Sequence, residues 1–277
     1  MSEKIISFIG GGNMARSLIG GLIADGHPAA AIRVAEPDAA RREALINDFA
    51  IQGFEDNATA ARGADAVILA VKPNTVAEVA GDLAAQIRDQ ASLVMSIAAG
   101  VRSADIAGWL GENAPVVRAM PNTPALVQTG ATALFANAAV TADQRDLAES
   151  TMRAVGMVVW LADEQQMDAV TALSGSGPAY FFYTMEVMQQ AAEQLGLDRE
   201  TARLLTLETA LGAARMALES SEDAATLRKR VTSPGGTTAA AIEEFNRGDL
   251  AGLYAKALGA AARRAAELGD ELGAQSQ

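Results

Sequence analysis

The 277-residue chain has no cysteine and a single histidine, His27. Without cysteine there is no disulfide, no thiolate nucleophile and no zinc–thiolate site, and no metal centre is expected. That composition suits a reducing compartment. No apolar run approaches the roughly 20 residues that a membrane span needs. The N-terminal residues run straight into Lys4–Ile9, a strand pattern without the apolar core of a secretory leader. A cytoplasmic protein with no membrane contact is the expectation. Positive charge is also scarce: 22 Lys and Arg stand against 34 Asp and Glu, a net charge of −12. Such a balance disfavours a nucleic-acid backbone as partner, and the acidity is expected to serve solubility.

The shortage of proton donors bears on chemistry. Reducing a carbonyl needs an acid to protonate the nascent alkoxide, commonly His, Lys or Tyr. His27 precedes Pro28 in the loop between the first helix and the second strand, at the edge of a sheet away from ligands, and reads as exposed and inert. Lysines number four: Lys4, Lys72, Lys229 and Lys256. An imine substrate avoids the difficulty, because it can arrive protonated and its product amine needs only a hydrogen-bond partner. A threonine hydroxyl can serve as that partner.

Half of the residues are apolar, ample for a sizeable core. Up to about residue 162, short β-branched runs alternate with helical stretches. Ile5–Ile9, Ile32–Ala35, Ala66–Val71, Leu93–Ile97, Val116–Met120 and Val158–Leu161 read as strands. Met14–Ala24, Pro37–Phe49, Thr75–Ile87 and Asp143–Val155 read as helices. This rhythm predicts an α/β domain over 1–162, its parallel sheet covered on both faces. From 163 to 277 strand patterns are absent, and Pro178–Leu195, Asp198–Glu219, Thr238–Phe245 and Leu250–Leu268 predict an all-helical domain. Several of these helices are apolar on more than one face, so a partner subunit is expected to cover part of them. The polar tail Gly269–Gln277 is expected to be disordered.

Two loops carry binding chemistry. After the first strand, Gly10-Gly11-Gly12-Asn13-Met14-Ala15 matches the G-x-G-x-x-A dinucleotide pattern. Gly10 allows the tight turn, Gly12 lets the backbone approach a pyrophosphate, and Ala15 permits close helix–strand packing. The second strand ends at Ala35-Glu36-Pro37-Asp38, where an acid would bond ribose hydroxyls and repel a 2′-phosphate; such a Glu36 predicts appreciable use of NADH. Arg41 and Arg42 follow and could instead reach a phosphate, so preference between NADPH and NADH stays open. Lys72, at the end of another strand, is a proton donor, a cofactor contact or a surface charge. The second loop, Val231-Thr232-Ser233-Pro234-Gly235-Gly236-Thr237-Thr238, precedes a helix. Unpaired first-turn amides, the helix dipole and four hydroxyls make an anion receptor there. A Ser- or Thr-capped helix behind an ordinary turn is the simpler alternative.

Over essentially its whole length the chain resembles the pyrroline-5-carboxylate reductase family. The resemblance is carried by Phe8–Ala15, Ala70–Asn74, Ser96–Gly100, Arg118–Pro124, Leu173–Tyr180 and Val231–Thr238. It implies a Rossmann-type dinucleotide-binding domain followed by an all-α dimerisation domain. It implies hydride transfer from NADPH or NADH to the C=N carbon of 1-pyrroline-5-carboxylate, giving L-proline, the last step of proline biosynthesis. By position, Ile9, Gly10, Gly11, Gly12, Asn13 and Met14 would hold the pyrophosphate, with Glu36 and Pro37 at the adenosine ribose. Asn57, Ala70, Val71, Lys72, Pro73 and Ala98 would line the rest of the cofactor. Ser233, Gly235, Gly236 and Thr237 would hold the substrate carboxylate, and the Thr238 hydroxyl would bond the ring nitrogen as the catalytic contact. Glu164 would lie near that nitrogen, its charge favouring the iminium, and Ser176 reads as a helix cap. The resemblance further implies at least a homodimer, with room for a larger assembly of dimers, in which the cofactor of one subunit meets Val231–Thr238 of another. A β-hydroxyacid dehydrogenase shares this organisation but uses a lysine on the first helix after the junction, and Gly177–Leu195 has none.

Overall fold

The computed structural model describes residues 4–111 and 113–274. Its sheet is built from β1 (Ile6–Ile9), β2 (Ile32–Ala35), β3 (Gln52–Phe54), β4 (Ala66–Leu69), β5 (Leu93–Ser96), β6 (Val116–Met120), β7 (Gly130–Ala136) and β8 (Gly156–Trp160). The order is β3-β2-β1-β4-β5-β6-β7-β8. The first six strands are parallel, with Ile9 level with Ala35 on one side and Leu69 on the other. β7 runs antiparallel to β6, and β8 is parallel to β7. The expectation of a wholly parallel sheet is corrected at this edge. Its cause is the unforeseen β7, whose sequence Gly-Ala-Thr-Ala-Leu-Phe-Ala is poor in the β-branched residues that mark strands.

Between the strands run α1 (Asn13–Ala24), α2 (Ala39–Phe49), α3 (Asn57–Ala61), α4 (Val76–Gln90), α5 (Ser103–Leu110) and α6 (Ala142–Arg153), and α7 (Gln166–Val170) follows β8. α2 begins two residues later than expected, because Asp38 caps it by accepting the Arg41 amide. Thr141 and Gln144 form a reciprocal capping box on α6. Side-chain alternation divides the interior into two layers, one per face of the sheet. Phe8, Ile68 and Met95 join Leu18, Ile19 and Met152 on one side. Ile9, Leu69 and Val94 join Leu83, Ile87 and Ile106 on the other.

The chain divides into two compact units, Met1–Ser176 with Ala260–Gln277, and Gly177–Gly259. The first unit extends beyond residue 162 because α7 and the π-turn Thr171–Gly175 stay packed on it: Met167 and Ala172 are buried. The second unit holds α8 (Gly177–Gln194), α9 (Arg199–Glu219), α10 (Ala224–Arg230), α11 (Thr237–Arg247) and the start of α12 (Leu250–Ala274). In the single chain, Phe181, Phe182, Tyr183, Leu211 and Leu253 of this unit stand exposed. Apolar surface on this scale marks an association face.

The end of α12 belongs to the first unit and corrects the expected disorder from Gly269. Gly269 is buried against Gly100, whose carbonyl would lie 3.0 Å from any Cβ there. Leu272 packs on the second apolar layer, and Arg102 pairs with Asp270. Only residues 275–277 of that tail lie outside the described residues.

Candidate active site

The register brings the expected cofactor residues to one edge. Ile9, Ala35, Leu69 and Ser96 are level across β2-β1-β4-β5, so Gly10–Met14, Glu36, Pro37, Ala70–Pro73 and Ala98 all follow their carboxyl ends. Asn57 opens α3, just after β3 on the same edge. Successive strands depart to opposite sides of β1 here, the usual crevice for a ligand in a doubly wound sheet.

The glycine loop is tied down by main-chain bonds. Gly10 N–H donates to Ala35 C=O and Ala70 N–H to Ile9 C=O, both at 2.8 Å. Gly10 takes φ +101°, and a Cβ there would sit 2.7 Å from the Ala70 carbonyl oxygen, so only glycine fits. At Gly12 a Cβ would meet nothing within 4 Å. Open space therefore faces the start of α1, where Gly12 occupies the cap position and no side chain caps the helix. Free first-turn amides, a dipole end and an approachable backbone fit a pyrophosphate. Lys72 is exposed beside this edge and Ala98 is buried. Glu36 is buried, and its Oε2 accepts the Gly11 amide at 2.9 Å.

Val231–Thr238 lies in the helical unit. Gly235 has φ +70°, Gly236 N–H donates to Ser233 C=O at 3.0 Å, and Gly236 caps α11 without any side-chain bond. The hydroxyls of Ser233 and Thr237 do not cap α11, as the capped-helix alternative would have them do. Thr232 Oγ1 is taken by Arg228 C=O, whereas the first turn of α11 keeps amides with no side-chain partner.

Glu164 sits in the sheet unit, in a knot that the sequence did not disclose. Its Oε1 accepts from the Ser103 amide at 2.8 Å and from Arg118 Nη1 at 3.1 Å, and its Oε2 accepts from the Ser103 hydroxyl at 2.5 Å. It thereby caps α5 from a distance of 61 residues and neutralises an arginine inside β6. One side of Glu164 still faces a 710 Å³ cavity that Gly100, Arg102 and Asp168 also line. An arginine within the apolar run Val116-Val117-Arg118-Ala119-Met120 was the available signal, since a buried cation requires a partner. Asn122, also unassigned from sequence, is buried and straps two motif segments together. Its Nδ2 donates to Ser174 C=O at 3.0 Å and its Oδ1 accepts the Ala131 amide at 2.9 Å.

His27 corrects one expectation: it is half-buried rather than exposed, with Nε2 buried and unpartnered. It lines a hollow with Ile6 and Leu22, away from the glycine-loop edge. Among the described residues no group of three or more acidic or histidine side chains is placed to hold a metal, and no helix is long and apolar enough to cross a membrane.

Comparison with known proteins gives the same organisation. Residues 164–268 match the family model described as pyrroline-5-carboxylate reductase dimerisation. Residues 5–100 match that of NADP oxidoreductase, coenzyme F420-dependent. A pyrroline-5-carboxylate reductase of Pseudomonas aeruginosa is 54% identical over 273 residues, covering 99% of this chain and 100% of that protein. The chain belongs to the pyrroline-5-carboxylate reductases. A member from Coxiella burnetii superposes with a TM-score of 0.93 at 49% identity, covering 96% of this chain and 99% of that one. The Plasmodium falciparum pyrroline carboxylate reductase, solved with NADP bound, superposes with a TM-score of 0.86 at 25% identity, covering 97% and 99%. In this reductase a Rossmann-type unit precedes a helical dimerisation region.

Proposed function

We propose that this chain reduces the C=N bond of 1-pyrroline-5-carboxylate to give L-proline, the last step of proline biosynthesis, in the cytoplasm. Identity of 54% with a pyrroline-5-carboxylate reductase along the whole chain is the observation that carries this reading. The nicotinamide of NADPH or NADH supplies the hydride. Ile9–Met14 hold the pyrophosphate on the uncapped start of α1, and Asn57, Ala70–Pro73 and Ala98 line the remainder of the cofactor. Ser233, Gly235, Gly236 and Thr237 bind the substrate carboxylate through the free amides and hydroxyls before α11. The Thr238 hydroxyl oxygen accepts the N–H of the protonated ring nitrogen, which needs no acid once hydride reaches the neighbouring carbon. Glu164 contributes negative potential towards the same nitrogen, reduced by its pairing with Arg118.

The active unit is a homodimer or an assembly of dimers, in which Val231–Thr238 of one protomer completes the site of another. The exposed apolar side chains of α8 and α9 and the match to a dimerisation family support this. The direct test follows loss of reduced nicotinamide absorbance in the purified protein with 1-pyrroline-5-carboxylate, and identifies the product as L-proline. A sample that binds NADPH yet never oxidises it with this substrate would overturn the reading in favour of a catalytically silent nucleotide-binding protein.

A further inference from the structure

The residues following β2 are arranged so that each charge has a definite destination. Glu36 is 4% exposed, and both carboxylate oxygens are engaged. Oε1 accepts the Asp38 amide at 3.0 Å, while Oε2 accepts the Gly11 amide at 2.9 Å and the Arg41 guanidinium at 3.2 Å. A buried carboxylate with two amides and a cation is satisfied and neutralised within the protein. Gly11 is clamped against it: a Cβ there would fall 2.7 Å from Leu45 Cδ1 and 3.2 Å from Glu36 Oε2.

The neighbouring charges are divided just as clearly. Arg42 is half-buried and donates to the main-chain oxygens of Glu36 at 2.6 Å and Pro37 at 3.5 Å, which makes it a brace under the strand end. The Asp38 carboxylate is taken by the Arg41 amide at the start of α2. The Arg41 side chain differs from all of these. It is 55% exposed and touches Glu36 through one nitrogen, so most of its five N–H donors face solvent.

We propose that Arg41 reads the 2′-phosphate of NADPH. Glu36, in turn, is a positioning residue that holds Gly11 and aims Arg41, not a ribose ligand that repels that phosphate. This rests on the assignment of Gly10–Ala15 to the cofactor pyrophosphate. A free carboxylate at this strand end would select NADH; a carboxylate already matched by a guanidinium leaves the cation to face the ligand.

The test uses the full-length protein and two fragments, 2′,5′-ADP and 5′-AMP, titrated by calorimetry. Wild type should bind 2′,5′-ADP more tightly. Arg41→Met should weaken 2′,5′-ADP about 10- to 100-fold, the scale of a charge-assisted hydrogen bond, and leave 5′-AMP nearly unchanged. Arg41→Lys should retain part of the preference, since the charge survives and the fork does not. Glu36→Gln should weaken both fragments and raise KM for NADPH and NADH together while kcat holds. Tighter 2′,5′-ADP and looser 5′-AMP in Glu36→Gln would overturn the proposal and restore Glu36 as the ribose reader. Equal weakening of both fragments by Arg41→Met would overturn the role of Arg41 and leave the glycine-loop assignment standing. No response of either fragment to any variant would remove both assignments.

Discussion

Replacing Arg118 by methionine takes away the cation that pairs with Glu164 and leaves its carboxylate in place. The Arg118 side chain is 6% exposed and that of Glu164 is 20% exposed. Breaking one side of a fully buried pair costs about 3–5 kcal/mol. Here Ser103 still donates twice to Glu164, through its amide and its hydroxyl, and the carboxylate keeps some access to water. A loss of about 2–3 kcal/mol is therefore expected. In a chain of this size that corresponds to roughly 5–10 °C in Tm. Removing both partners, as Arg118→Met with Glu164→Gln, leaves no uncompensated charge, and the double variant should lie within about 1 kcal/mol of wild type. Urea unfolding, followed by the fluorescence of Trp109 and Trp160 without substrate, measures all four corners of this cycle. Protein concentration must be held constant, because association links stability to it. If the two single losses simply add, to within about 0.5 kcal/mol, Arg118 and Glu164 are independent. The account of a neutralised knot at α5 would then be wrong.

Thr238→Ala should lower kcat about 10- to 100-fold, the range of one hydrogen bond to a charged group, and leave cofactor KM unchanged; unaltered kcat would refute the ring-nitrogen contact. Mixing Thr238→Ala with Gly12→Asp after dissociation and reassociation should restore about a quarter of wild-type activity. Half of the dimers are then mixed, and each has one intact composite site; no recovery above the separate variants would show that each site lies within one chain. The Asp65 carboxyl is held below the usual aspartate range, where burial pushing it up is outweighed by hydrogen bonds from Lys4 and the Ile5 amide. Being depressed, it stabilises the fold above its unfolded pKa, and that stability is lost as pH falls through the folded value. The gap in stability between wild type and Asp65→Asn should therefore be constant above about pH 5 and close below about pH 4; a constant gap down to pH 2 would contradict this.

Much of the sheet unit was legible because its strands are continuous apolar runs and its glycine loop stands directly between one of them and a helix. Strand β7 escaped because alanine and glycine signal strand weakly, and only its pairing with β6 and β8 specifies it. Helix α5 escaped for a related reason: its first-turn amide is satisfied by Glu164, far along the chain, and not by a local cap. Types and positions of the cofactor-edge residues were readable, but the destination of their charges was not. Glu36 looked free to meet a ribose, whereas a guanidinium five residues on and an amide twenty-five residues back occupy it. In the helical unit, periodicity gave the helices and their surplus apolar faces, and α10 was lost in a polar, basic stretch between longer elements.

The return of α12 to the sheet unit constrains how the protein can be made. Gly269, Asp270 and Leu272 meet Gly100, Arg102 and the layer under α4 and α5. A ribosome delivers those residues only after the entire helical unit, so the surface around Gly100 has no cover while the first unit is emerging. The nascent sheet must wait with Gly100 and its surroundings uncovered. A stop codon or a bulky fusion near the end of α12 therefore damages the part of the molecule that was synthesised first.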